Sequence, residues 1–286
     1  MQRATDARIP RHVTAFERGA GGGALYVQSW LPAADARAAL VLLHGLAEHS
    51  GRYAELTGRL VDRGLAVYAL DHRGHGRSAG PRANVGRFDW LVADAVARIE
   101  RARAEQPGRP LVLLGHSMGG AVALATALAR PDLVGALALS APAVGADPAV
   151  PRLRLALAQL LSAVAPSVGV LRLPSDALSR DPRVGADYDR DPLVFRGAVP
   201  ARSLVELLAA MRRLHAEAPA LRTPVLVQHG TDDRLVPLRF TEPVYARLGS
   251  ADCTIRRYAG LYHEIYNEPE RGAVFADLEA WLERRL

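Results

Sequence analysis

The stretch Pro110-Leu-Val-Leu-Leu-Gly-His-Ser-Met-Gly-Gly-Ala-Val-Ala-Leu-Ala-Thr-Ala-Leu-Ala129 constrains this chain more than any other. Leu111 to Leu114 form a short, wholly apolar run, as expected of a strand buried on both faces in a parallel sheet. From Met118 onward the residues are small and Ala-rich, which suits a helix packed closely on that sheet. Gly115-His116-Ser117-Met118-Gly119 lies between them, a G-x-S-x-G sequence in a strand–turn–helix setting. So sharp a turn leaves no room for a side chain two residues before or after Ser117, hence Gly115 and Gly119. Its result is a serine hydroxyl exposed at a strand end, with a helix N-terminus behind it to favour negative charge. Ser117 is therefore the candidate nucleophile.

At 286 residues with 49% hydrophobic content, the chain can bury a large α/β core with room for an insertion. No apolar run approaches the ~18–20 residues of a membrane span. Met1 to Pro10 contains no apolar h-region, so no signal peptide is expected and a cytoplasmic location is the default. The single cysteine, Cys253, excludes an internal disulfide and a cysteine-rich metal site. Its expected place is that of a small buried side chain on a strand. The basic residues are all Arg, scattered among acids, and give a net charge of +6. Without a basic stripe and interleaved aromatics, no nucleic-acid partner is expected. No metal is expected either, because there is no helical His-x-x-x-His and no grouped carboxylates.

Taken in order, His12 to Glu17 and Ala24 to Trp30 read as a hairpin across the turn Gly19–Gly23. Strands follow at Ala38–His44, Leu65–Asp71, Leu111–Leu114 and Leu133–Ser140. Helices lie between them at Tyr53–Arg63, at Phe88–Gln106 and after the elbow. This alternation predicts a doubly wound, mostly parallel sheet with helices on both faces. After Ala141-Pro142 the rhythm breaks until Pro219. We expect a mainly helical cap over residues 143–219, inserted into a core of residues 1–142 and 220–286. Its first helix, Leu153 to Val164, is apolar nearly all round. It either packs on the core or acts as a lid that lines a lipid tunnel or touches a membrane surface. The alternation resumes with a strand at Pro224–Gly230, a helix at Phe240–Leu248, a strand at Cys253–Tyr258 and a helix at Glu268–Leu286.

A serine hydroxyl needs a neutral imidazole to take its proton, and the imidazole needs a carboxylate to fix its tautomer. In a sheet of this kind the acid and then the histidine should follow the serine, each just past a strand end. Gly230-Thr-Asp-Asp233 supplies the acid. Asp233 is preferred, with Asp232 left to stabilise the turn. Of nine histidines, only His263 combines the right order with a strand-end position. His229 should pack beneath the site, and the His116 side chain should point away from the reacting centre. Two backbone N–H groups must meet the developing oxyanion. Met118, directly after the nucleophile, and Leu46, in the loop after the third strand, are the expected pair.

The chain resembles the monoacylglycerol lipase family. His44-Gly-Leu-Ala-Glu-His-Ser-Gly-Arg-Tyr53 is similar to that family's HG-x-x-EH-x-x-RY oxyanion-loop motif. Asp71-His-Arg-Gly-His-Gly-Arg-Ser78, Gly115–Gly119, Leu139–Pro142 and Gly230–Asp233 follow in family order. Leu178–Pro182 and Asp191–Leu193 are similar to pieces of its cap. The resemblance implies an α/β-hydrolase with a lid that releases fatty acid and glycerol from monoacylglycerols without a cofactor. It also implies a Ser117, Asp233, His263 triad and a small lipid ester as the partner molecule. The same motif puts Glu48 and Arg52 beside the oxyanion loop, either as a brace or as hydrogen-bonding partners of a polar head group. Leu46 is bulkier than the residue often found there and could narrow the acyl site. The rival readings are a lysophospholipase or general carboxylesterase and, more remotely, an inactive binding protein of the same fold.

Overall fold

A computed structural model describes residues 10–147, 149 and 151–286, so the expectation for Met1 to Ile9 lies outside the described residues. The chain runs β1 (Arg11–Arg18), β2 (Ala24–Leu31), β3 (Ala38–Leu43), α1 (Ala54–Asp62), β4 (Leu65–Leu70), α2 (Phe88–Glu105), β5 (Leu111–His116), α3 (Met118–Ala129) and β6 (Ala136–Ser140). It continues through α4 (Arg152–Val164), β7 (Gly169–Leu171), α5 (Pro182–Arg190), β8 (Val199–Pro200), α6 (Ala201–Glu217), β9 (Val225–Gly230), α7 (Leu238–Tyr245), β10 (Cys253–Tyr258) and α8 (Arg271–Glu283).

Eight strands form one sheet in the order β1-β2-β4-β3-β5-β6-β9-β10. The β1–β2 and β2–β4 pairs are antiparallel, and every pair from β4 to β10 is parallel. Because a strand's side chains alternate between faces, each central strand feeds two cores. Val41, Leu43, Leu111 and Leu113 pack with Leu91 and Ile99 of α2 and Val122 of α3 on one face. Leu40, Leu42, Val112 and Leu114 pack with Leu60 of α1 and Phe275, Leu278 and Trp281 of α8 on the other. Burial on both faces is why these strands read as unbroken apolar runs. Each fully buried leucine contributes about 2 kcal/mol of apolar transfer.

The segment between β6 and β9 holds more structure than its sequence suggests. Asp181 caps α5 by accepting from the Arg183 N–H, and Pro182 takes the first turn, where no donor is needed. β7 and β8 form a separate antiparallel pair. Leu178, Tyr188 and Val194 form a small buried cluster of their own here. α6 reaches the main core instead, through Ala210 and Leu214. α4 lies outermost, with Leu153 81% and Val164 71% exposed and Leu157 and Leu160 more than half exposed.

Three further expectations need correction. Cys253 is exposed, because it opens an edge strand whose outer side no neighbour covers. The strand expected from Leu133 begins only at Ala136, after a turn. The helix expected at Phe240–Leu248 starts earlier, at Leu238, and carries Pro243 inside it. Among the described residues no helix is long and apolar enough to cross a membrane.

Candidate active site

β5 ends at the elbow and β3 ends beside it, so the loops after both meet at one edge of the sheet. A Cβ at Gly119 would lie 2.1 Å from the Leu43 carbonyl, and one at Gly115 2.2 Å from the Gly119 carbonyl. No side chain fits either position. Ser117 itself adopts φ 52°, ψ −119°, a strained conformation for a residue with a side chain. Its N–H donates to Ser140 O, and its carbonyl accepts from Ala121 and Ala143 N–H, so the strain is held from both sides. The hydroxyl is left half-buried on the wall of a cavity of about 140 Å³, and His263 lies on the same wall. Among the described residues the hydroxyl makes no hydrogen bond of its own.

His263 follows β10 and is buried. Its Nδ1 donates to Asp233 Oδ2 at 2.7 Å. Asp233 Oδ1 accepts the N–H groups of Leu235 and Val236, both at 2.8 Å. Burial opposes charge on Asp233, but His263 and His229 outweigh it and hold the carboxyl well below the usual range. Burial likewise opposes the imidazolium of His263, and the Asp233 carboxylate turns the balance, raising its pKa above the ordinary 6.5. Asp232 is exposed and, among the described residues, accepts only from the Thr231 hydroxyl, at 2.9 Å.

In the loop after β3, Ala47 takes φ 67°. The Gly45 N–H donates to Glu48 Oε1 at 2.6 Å, whereas the Leu46 and Met118 N–H groups have no acceptor among the described residues. Glu48 also accepts from Tyr53 OH at 2.7 Å and Arg52 Nη1 at 2.9 Å. Arg52 then reaches Glu264, beside His263, through two bonds of 2.5 and 2.8 Å. Burial raises the pKa of Glu48. Glu264 is buried too, but its pairing with Arg52 prevails and lowers it to about 2.

Sequence reasoning did not find Glu264 as the far end of this network. Nothing local to Glu264 signals a partner more than 200 residues away in the chain. It also misplaced His116, whose ring centroid sits 4.7 Å from that of His263 and whose Nδ1 meets Ser140 Oγ at 3.0 Å. The elbow turns its ring towards the site, and burial lowers its pKa to about 3. His75 Nδ1 meets Arg73 O within its own loop, whereas His72 N–H donates to His44 Nε2 after β3 and Arg73 donates to Gly22 O in the β1–β2 turn.

The segment between β6 and β9 contributes to the cavity wall. Leu173, Val199, Leu204, Leu207 and Met211 line it opposite Ser117. It is tied to the loop after β3 by Phe195 N–H to Ala47 O and by His49 Nε2 to Asp191 Oδ2, 2.8 Å apart. A second cavity of about 670 Å³, between α4, α6 and α7, shares Met211 with the first. The described residues hold no His, Cys, Asp or Glu group able to bind a metal ion.

A mostly parallel sheet, a strained serine at the end of β5 and inserted helices above it define an α/β-hydrolase. The profile of the family described as serine aminopeptidase, S33, matches residues 34–270. The chain is 40% identical over 264 residues to the monoacylglycerol lipase of Mycolicibacterium smegmatis, covering 92% of this chain and 94% of that one. It is 34% identical to the human monoglyceride lipase, covering 99% and 94%. The solved monoacylglycerol lipase of Paleococcus ferrophilus superposes with a TM-score of 0.83 at 32% identity, covering 92% of this chain and 99% of that one. The chain belongs to the monoacylglycerol lipase family.

Proposed function

We propose that this protein is a serine hydrolase that cleaves monoacylglycerol to fatty acid and glycerol. The observation that carries the reading is the strained Ser117 sharing a small, largely apolar cavity with a histidine anchored on a buried carboxylate. Ser117 attacks the ester carbonyl while His263 Nε2 takes its proton, and Asp233 holds the imidazole through Nδ1. The Leu46 and Met118 N–H groups receive the oxyanion. His263 returns the proton to the leaving glycerol oxygen, takes one from the water that attacks the acyl-enzyme, and hands it to Ser117 Oγ as the acyl C–O bond breaks and the fatty acid leaves. No cofactor enters any step.

Glu48 and Arg52 act in this reading as a brace, because both carboxylate oxygens and both terminal guanidinium nitrogens are engaged within the protein. Residues 143–219 form the lid on a core of residues 1–142 and 220–286. The exposed leucines of α4 make transient contact with a membrane surface, where the substrate resides. We assign the protein to the cytoplasm, peripheral to the membrane.

The test is fatty-acid release from one long-chain monoacylglycerol, its diacylglycerol and its lysophosphatidylcholine counterpart at matched concentration. Strong preference for the monoacylglycerol is expected. Preference for the lysophospholipid would make the protein a lysophospholipase, and equal, weak rates would leave a general carboxylesterase.

A further inference from the structure

A second histidine reaches the Asp233 carboxylate from below. His229, on β9, is fully buried, and its Nε2 lies 2.9 Å from the Val236 carbonyl oxygen and 3.1 Å from Asp233 Oδ2. A carbonyl oxygen only accepts, so Nε2 must carry the proton and donates to both oxygens. On the far side of the ring, Nδ1 is 2.7 Å from Tyr245 OH on α7. In the neutral ring Nδ1 accepts, so Tyr245 donates and fixes the Nε2–H tautomer. Asp233 Oδ2 is therefore shared between two imidazole N–H groups, at 2.7 Å from His263 and 3.1 Å from His229.

We propose that His229 is a positioning residue: by taking part of the Asp233 carboxylate, it limits how strongly His263 holds a proton. The proposal rests on the reading of Asp233 as the partner of the catalytic base. A carboxylate oxygen that already accepts one N–H offers less electron density to a second donor. The shared acceptor keeps His263 oriented without making its imidazolium too stable to return the proton. The other titratable groups around the pair are Glu48, Glu264 and the neutral His116 beside His263, and Glu242 and Arg257 near Tyr245. None of them donates to Asp233, so removing the His229 donor leaves Oδ2 to His263 alone, while Oδ1 keeps the Leu235 and Val236 N–H groups.

The experiment is the pH dependence of kcat/KM for a water-soluble glycerol monoester, which reports the base in the free enzyme. In His229→Leu the acidic limb should move up by about half a unit to one unit. In His229→Gln, which keeps an N–H at similar reach, it should stay at the wild-type position. A His229→Leu enzyme that loses rate with its limb unmoved would overturn the proposal, since a packing role alone predicts that result. Asp233→Asn, run alongside, separates the premises: full activity there overturns the acid assignment itself. Imidazole nitrogen resonances of the unmodified protein give a check independent of variant folding. A protonated Nε2 and bare Nδ1 on His229 are expected, and the opposite tautomer would overturn the proposal.

Discussion

Arg52 and Glu264, far apart in sequence, are joined by two hydrogen bonds of 2.5 and 2.8 Å with both side chains almost fully buried. The bond links the two halves of the site. Through Glu48, Arg52 holds the loop that carries Leu46, and through Glu264 it holds the loop that carries His263. An Arg52→Leu exchange leaves two buried carboxylates uncompensated and should destabilise the fold by about 3–5 kcal/mol. Chemical denaturation measures the loss. A loss under 1 kcal/mol would mean that the network is relaxed by water.

The two neighbouring aspartates should behave differently. Asp233→Asn should lower kcat by about four orders of magnitude, because an amide in place of the carboxylate favours the wrong tautomer of His263. Asp232→Asn removes only the charge from an exposed turn contact and should leave kcat within about twofold. Steady-state kinetics on the two variants decide between them, and the reverse ranking would move the acid to Asp232.

The acid limb of kcat/KM should lie above the ordinary histidine value of 6.5, because His263 must be neutral to act as a base and its pKa is raised. Activity then falls as the pH drops through that raised value. A limb at or below 6.5 would show that Asp233 does not outweigh burial in stabilising the imidazolium.

Stability should fall over a lower pH window. Burial holds His44 and His72 far below 6.5, His75 at about 4 and His116 at about 3. Both ring nitrogens of His72 and Nε2 of His75 are buried without partners among the described residues. Below 6.5 the unfolded chain binds protons at these positions and the folded chain does not, so stability drops as pH falls from 6.5 to 4. Each histidine adds a slope of about 1.4 kcal/mol per pH unit. His263 has the opposite sign, but its contribution is complete by 6.5 and does not flatten that slope. Thermal melts across the window measure the fall; a constant Tm would contradict it.

The parts of the fold legible in the sequence were those where one local rule governs a whole segment. β3, β4, β5 and β9 are buried on both faces and so leave long apolar runs. The elbow glycines are dictated by backbone contacts at about 2 Å, which leave no alternative residue. Asp233 and His263 were found by position, each in a loop just past a strand end, and the structure brings them into contact. What escaped depends on distant partners. α5 is short and rich in Asp and Arg, and its apolar face is only Val184 and Tyr188, too few to mark a helix in the sequence. Cys253 looked buried because a strand pattern does not reveal which strand is the edge. His116 and Glu264 acquire their places only when the loops after β5 and β10 close on each other.

The most direct measurement is to label the protein with a fluorophosphonate, map the adduct by mass spectrometry and follow monoacylglycerol hydrolysis in the same samples. The account predicts a single adduct on Ser117, activity lost in proportion to labelling, and neither labelling nor hydrolysis in a folded Ser117→Ala protein. An adduct on another residue, or ester hydrolysis that survives Ser117→Ala, would contradict it.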